Sequence, residues 1–250
     1  MNKMTTLFCF FLALVSISKA QPRANSTSTY TSSINGVIPQ VVDGGSWKTI
    51  ITLVNLDTTV GTYTIRFYAD SGSTLSLGTT AGTGSVITGT LQPNGSRVIE
   101  TAGTKATLSQ GWALVETSNL TSGVAIFRQS VPGRPDFEAS MPIIVYVEDN
   151  AYVLPFDHTT STTGVAIVNP VSYTAITVFV TFRDEQGSQF YLDSFSIGPL
   201  QHSVFSLADR YPQSAGRRGI VEIATTGLTM NVLGLRFGAA SFTSILPLTH

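Results

Sequence analysis

The chain has 250 residues, 42% of them hydrophobic and only 12% charged, with a formal net charge of −1. Charge so sparse and so balanced leaves no electrostatic footprint for nucleic acid. At roughly 100–200 residues per domain, the length fits one large domain or two small ones, each able to bury a core. No reaction or ligand follows from these residues; class, organisation and compartment do.

Residues 1–20 read as a signal peptide: Lys3 supplies a positive start, Leu7 to Val15 an apolar core, and Ser18-Lys19-Ala20 small residues at the cleavage site. Cleavage is expected before Gln21. The competing reading, a membrane anchor, asks for roughly 20 apolar residues, and this stretch is shorter. Cys9 is the only cysteine and lies in this segment. The processed chain therefore has no disulfide, thiolate nucleophile or cysteine metal site. Losing Lys3 and Lys19 leaves 12 basic against 15 acidic side chains, a net of −3. The expected product is secreted, extracellular or at the cell surface, without membrane insertion.

Residues 21–36 include Asn25-Ser26-Thr27-Ser28-Thr29, too polar to bury apolar area, and are expected to form a disordered leader. A sharper alternative is strand donation by this Thr-rich segment to a sheet edge of a second copy, building filaments. From Ile50 onward the chain reads as short runs of β-branched and aromatic residues divided by Gly, Asn, Asp, Ser and Pro. Ile50 to Val54, Thr62 to Phe67, Trp112 to Glu116 and Val124 to Arg128 are predicted strands, as are Val165 to Val168, Thr177 to Phe182, Ile220 to Ile223 and Val232 to Arg236. The one helical candidate is a turn or two around Leu207 to Arg210. The fold class is all-β.

The chain also repeats itself. Val54-Asn55 matches Val168-Asn169, and Phe67 to Ser73 matches Phe182 to Ser188, both ending in an acidic turn closed by Gly-Ser. Leu91-Gln92-Pro93 matches Ile197-Gly198-Pro199, and Leu114-Val115-Glu116 is paired with Ile220-Val221-Glu222. We read two homologous modules, 37–147 and 151–250, each folding about seven strands into two packed sheets: two tandem immunoglobulin-like antiparallel β-sandwiches. Tyr63, Ile65 and Phe67 should point into the first core and Val178, Val180 and Phe182 into the second. Pro39 and Pro155 should sit on entering edge strands. The short polar join Glu148-Asp149-Asn150 leads to an expected stiff rod, with the modules end to end.

Little chemistry is legible. His158, His202 and His250 are scattered, so no zinc site is expected. Asp157-His158 are neighbours whose side chains leave a strand on opposite sides, and no Gly-x-Ser-x-Gly elbow accompanies them; His158 is expected to be a solvated loop histidine. Glu116 and Glu222 are expected to share a structural role, such as a hydrogen bond or pairing with Arg128 and Arg236 on a neighbouring strand, rather than to form a glycosidase pair. Asp184-Glu185 and Glu148-Asp149-Asn150 gather oxygen ligands but lack the spacing of a calcium loop. No catalytic residue, metal or cofactor is expected. The candidate ligand-binding residues are Trp47, Arg66 and Tyr68, an aromatic platform for a sugar, whereas Trp112 is assigned to the core. Sequons at Asn25, Asn94 and Asn119 imply exposed loops. Gly216-Arg217-Arg218-Gly219 is too short to mark a polyanion site.

The run Ile38 to Thr49, with Leu53-Val54-Asn55, Gly111-Trp112-Ala113 and Ala125 to Arg128, resembles an uncharacterised group of secreted bacterial β-sandwich proteins. Val153 to Asp157 and Leu233 to Phe237 are similar to the same group. The resemblance implies an extracellular immunoglobulin-like tandem and carries over no catalytic residue. The expected function is a secreted, non-enzymatic structural or adhesion-type protein with an extracellular protein or glycan as partner. The alternatives are a carbohydrate-binding protein using Trp47 and Tyr68, and a filament subunit.

Overall fold

The computed structural model describes residues 34–145, 150–239 and 241–249. The expected signal peptide, the leader up to Ser33, Asn25, Glu148-Asp149 and His250 lie outside them. In the first half the strands are β1 (Ile34–Asp43), β2 (Trp47–Asn55), β3 (Gly61–Ala69), β4 (Leu77–Thr79), β5 (Gly82–Gly84) and β6 (Val86–Leu91). They continue with β7 (Ser96–Glu100), β8 (Ser109–Thr117), β9 (Thr121–Gln129), β10 (Phe137–Pro142) and β11 (Ile144–Val145). The second half has β12 (Ala151–Asp157), β13 (Thr162–Val168), β14 (Ile176–Arg183), β15 (Gln189–Ile197) and β16 (His202–Ser206). A four-residue helix α1 (Leu207–Arg210) follows, where the sequence places it, then β17 (Arg218–Thr225), β18 (Asn231–Phe237), β19 (Phe242–Ile245) and β20 (Leu248–Thr249). The described chain is almost entirely β, in antiparallel sheets.

The sheet orders repeat. The first half forms β11-β1-β8-β3-β6 and β10-β9-β2-β7, and the second forms β20-β12-β17-β14-β15 and β19-β18-β13-β16. Every strand of one half thus has a counterpart in the other, save the ribbon β4-β5 inserted after β3. Local chemistry repeats with the order. The buried Asn55 amide donates to the carbonyls of Thr59 (2.8 Å), Leu91 (3.3 Å) and Gln92 (3.1 Å), and its Oδ1 accepts from the Asp57 N–H (3.0 Å). Asn169 does the same with Thr174 (2.9 Å), Ile197 (3.1 Å), Gly198 (2.9 Å) and the Val171 N–H (3.0 Å). Each asparagine closes the gap where three loop carbonyls would otherwise be buried without donors. The acidic turns match as well: Gly72 (φ 82°) and Gly187 (φ 81°) donate to the carbonyls of Ala69 and Asp184.

One sequence correspondence is out of register. A Cβ on Gly111 would lie 1.9 Å from the Tyr68 carbonyl, and one on Gly219 would lie 1.9 Å from the Arg183 carbonyl, so these glycines are the true counterparts. Trp112 therefore corresponds to Ile220 and Leu114 to Glu222, because Tyr68 faces Trp112 and Arg183 faces Ile220 across the strands. Glu116 and Glu222 are not equivalent. A glutamate two residues away on the same face of an alternating strand gives the same apolar-polar pattern, which is how the sequence misleads.

Alternation along the strands sets the interior. Tyr63, Ile65 and Phe67 are buried in a cluster fed by both sheets of the first half, and Val178, Val180 and Phe182 in a corresponding cluster of the second, as the sequence predicts. The first strand begins at Ile34, three residues inside the stretch read as leader, pairing Ile34 to Gly36 with Thr117 to Val115. Pro39 falls in a bulge of β1, and β11 pairs only with Gly36 and Val37; β20 pairs only with Tyr152 and Val153, short of Pro155. Both prolines thus escape the need for a donor on that side.

The halves do not stand end to end. The outer face of the β1-β8-β3 sheet packs on the outer face of the β13-β18-β16 sheet. Val37, Trp112 and Val168 form a buried cluster there with Tyr68, Leu114 and Leu200 packed against it, and Ala166 and Leu233 of the second half join the first half's cluster. A short linker constrains distance but not direction, and an apolar outer face must be covered.

Candidate functional site

The tight turn that carries the chain from β1 in one sheet to β2 in the other delivers Trp47. Gly44 and Trp47 exchange backbone hydrogen bonds at 2.9 Å around Gly45 (φ 57°) and Ser46 (φ 72°). Positive φ at both central residues is the tight-turn geometry that matches strand twist. Gly44 is obligatory, since a Cβ there would meet the Thr107 carbonyl at 2.4 Å. Asp43 completes the support by accepting from the Gly103 N–H at 2.6 Å. Half-buried, Trp47 leans on Phe242 of the second half, ring centroids 5.2 Å apart. It borders two recesses. One is a polar cleft of about 210 Å³ that also includes Ser46, Lys48, Arg128, Ser130 and Asp136. The other is an apolar pocket of about 160 Å³ between the halves.

The other two candidates do not join it. Arg66 and Tyr68 do point away from the first core, as their alternation with Phe67 requires, but on β3 in the opposite sheet from Trp47. Arg66 pairs with Glu116 at 2.9 Å. Tyr68 stacks on Trp112 with centroids 4.7 Å apart and an interplanar angle of 19°. Trp112 itself is fully buried, yet between the halves rather than inside the first core, and its indole N–H donates to the Leu200 carbonyl at 2.8 Å. Leu200 holds φ 57°, the same loop position that Asn94 fills with φ 52° in the first half. A left-handed leucine costs on the order of 1 kcal/mol, offset here by the contact it makes with the indole. Trp47, Arg66 and Tyr68 thus form no single platform.

The strand glutamates and arginines singled out in the sequence are engaged within the fold. Glu116 and Glu222 pair with Arg66 and Arg183, not with Arg128 and Arg236; Arg128 pairs with Glu138, and Arg236 donates to the Ser161 hydroxyl. His158 is not a solvated loop residue. Its Nδ1 lies 3.0 Å from Ser214 Oγ, whose hydroxyl donates to the Tyr211 carbonyl, so Nδ1 carries the proton. Burial lowers the His158 pKa below 6.5 against the opposing pull of Ser214 and Asp157. The Asp157 carboxylate turns to Thr159 and Arg218, which hold it at about 2. Ser214 is fully buried, so this Ser-His contact cannot present a nucleophile.

Asp184 accepts from the Gln186 and Ser188 N–H groups and shapes a turn. Arg217 covers the Phe190 ring at 4.6 Å. Asn94 is exposed, whereas the Asn119 amide is tied to Thr59. No group of three or more His, Cys, Asp or Glu among the described residues could hold a metal ion. No described helix is long and apolar enough to cross a membrane.

Sequence reasoning missed the contact of His202 with Asp70. The imidazole, buried between the halves, places Nδ1 2.9 Å from Asp70 Oδ1, and Gln110 donates to Oδ2 at 2.7 Å. Partial burial alone would raise the Asp70 pKa; the bonds from His202 and Gln110 outweigh it and hold the carboxyl below 3.8. A separation of 132 positions gave no local signal. No family model, curated protein or solved structure matches this chain.

Proposed function

We propose that this chain is a secreted, non-enzymatic protein of two tandem immunoglobulin-like β-sandwiches, 37–147 and 151–250, acting in surface structure or adhesion. The observation that carries the reading is the repeated strand order with its paired asparagine nets, which supports a duplicated module, together with the contact of the second half on the first around Trp112. Sidedness of this kind suits a stiff display element. The reading has two tests. Expressed with residues 1–20 in a bacterial host, the product should leave the cytoplasm with Gln21 at its N-terminus by mass spectrometry; retention inside with Met1 intact would overturn export. Beads coated with residues 21–250 should then retain cells or matrix that bare beads do not.

The polar cleft beside Trp47 favours a second reading, binding of a glycan through an aromatic plane flanked by hydrogen-bonding groups. On a glycan array, Trp47→Ala should lose any specific signal at least about tenfold, the scale of one stacked ring; an unchanged signal sinks this reading. Tyr68, stacked on Trp112 in the opposite sheet from Trp47, takes no part in this cleft.

A further inference from the structure

In an antiparallel sheet with one face in water, apolar and polar residues alternate along each strand; a continuous apolar run marks a strand covered on both faces. The contact between the halves accounts for such runs in β8 (Trp112-Ala113-Leu114-Val115) and β13 (Val165-Ala166-Ile167-Val168). One set of side chains fills the strand's own core, and the other meets the opposite half. It does not account for Leu53-Val54 in β2 or Val124-Ala125-Ile126-Phe127 in β9. Leu53, Ala125 and Phe127 fill the first core, whereas Val54, Val124 and Ile126 point the other way and belong to no buried cluster.

These outward residues stand where the second half docks. Val98, Thr52 and Val124 form a row across the sheet, at the places of Val204, Ala166 and Leu233 in the second half. Val54 and Ile126 likewise take the places of Val168 and Leu235. In the second half this face lies against the first; in the first half Val98 is 48% exposed and its neighbours are half-buried. An aliphatic sheet face of this kind is covered in use, and a sheet face is what covers its counterpart. The leader is no substitute, since residues 21–33 offer Tyr30 as their one large apolar side chain. Of the faces a second copy could present, the one carrying Trp112 is already occupied. The β17-β14 face sets Arg183 and Glu222 where the docked face has Tyr68 and Leu114, and burying those charges is costly. The same face of the second copy remains. Its charged end is balanced, Lys48 against Glu100 and Arg128 against Glu138, so two copies bring no net charge together. We propose that the outer face of the β10-β9-β2-β7 sheet is a homodimer interface, packed on the same face of a second copy about a two-fold axis. Such a contact uses up the face on both copies, so assembly closes at two. The inference goes beyond the adhesion reading and stands whether or not that reading does.

The test follows residues 21–250 by sedimentation velocity and light scattering from about 1 to 200 μM. A monomer–dimer equilibrium that stops at twice the chain mass is expected. Val98→Glu, at an exposed position, should weaken the dimer at least about tenfold, because two unpaired carboxylates enter each interface. The double variant Val124→Thr, Ile126→Thr keeps β-branching and should weaken it by a similar factor, with circular dichroism confirming that both proteins are folded. Phe179→Glu, on the outer face of β14, should leave the dimer intact, as should deletion of residues 21–33. Four results would overturn the proposal: a monomer throughout the range, a dimer unchanged in folded Val98→Glu, loss of the dimer in Phe179→Glu, or a mass that climbs past two chains with concentration. None of these readouts depends on export or adhesion.

Discussion

At the scale of single residues, the two buried asparagines carry more of the fold than any charged group. Each fully buried amide is shared among three carbonyls, which lose that donor if the side chain is shortened. An orphaned buried polar group costs about 1–3 kcal/mol, more than the net gain from most single hydrogen bonds. Asn169→Ala is therefore expected to lower the urea-unfolding free energy by about 2–3 kcal/mol, and Asn55→Ala by a similar amount. The half-exposed pair Lys48 and Glu100, 3.2 Å apart, should by contrast change little when Glu100 becomes Gln. Equal losses in the asparagine and glutamate variants would contradict this ranking. The asparagines were legible as a repeat, since Val-Asn follows matching apolar strands; two of the three carbonyl partners of each were not, lying 28 to 37 positions away.

At the scale of elements, the pairing of β8 with β3 and of β17 with β14 depends on one glycine each. A Cβ at Gly111 or Gly219 would sit 1.9 Å from a backbone carbonyl, which cannot yield as a flexible side chain can. Gly111→Ala and Gly219→Ala should each cost about 3 kcal/mol or more, or fail to give soluble protein. Gly216→Ala is the control: it has φ 68° but nothing within 4 Å, so only the backbone preference of about 1 kcal/mol is lost. Thermal melts of the three variants distinguish close approach from φ alone. The strand centres were readable from alternation, and the structure extends each of them outward. Short elements such as β4, β5, β11 and β20 were not, because two or three residues carry no period.

At the scale of the whole molecule, the outer faces of equivalent sheets have diverged. Where the first half presents Tyr68, Trp112 and Leu114, the second presents Arg183, Ile220 and Glu222, with Arg183 and Glu222 paired at 3.9 Å. The first of these faces is covered by the other half, whereas the second carries an ion pair compatible with solvent. The closed contact also makes stability depend on pH. Because the folded-state pKa of Asp70 lies below 3.8, its stabilising effect is present above the unfolded value and is lost as pH falls through the lower, folded one. Asp70→Asn should flatten the acid limb of the urea midpoint below about pH 4. The effect should be under about 1 kcal/mol, since the carboxylate side chain is 42% exposed. An acid limb identical to that of the parent would remove Asp70 from this role.

The sequence alone determined that the described chain is almost entirely β and which residues of β3 and β14 face their own core, and it showed one half echoing the other, because alternation and turn chemistry are properties of neighbours in the chain. Only the tertiary structure decided that Trp112 is buried between the halves, that Arg66 answers Glu116, and that Trp47 stands between a polar cleft and an apolar pocket. Alternation states that a side chain leaves its own sheet. Whether water or another sheet meets it there depends on contacts between residues far apart in the chain, which leave no period to read.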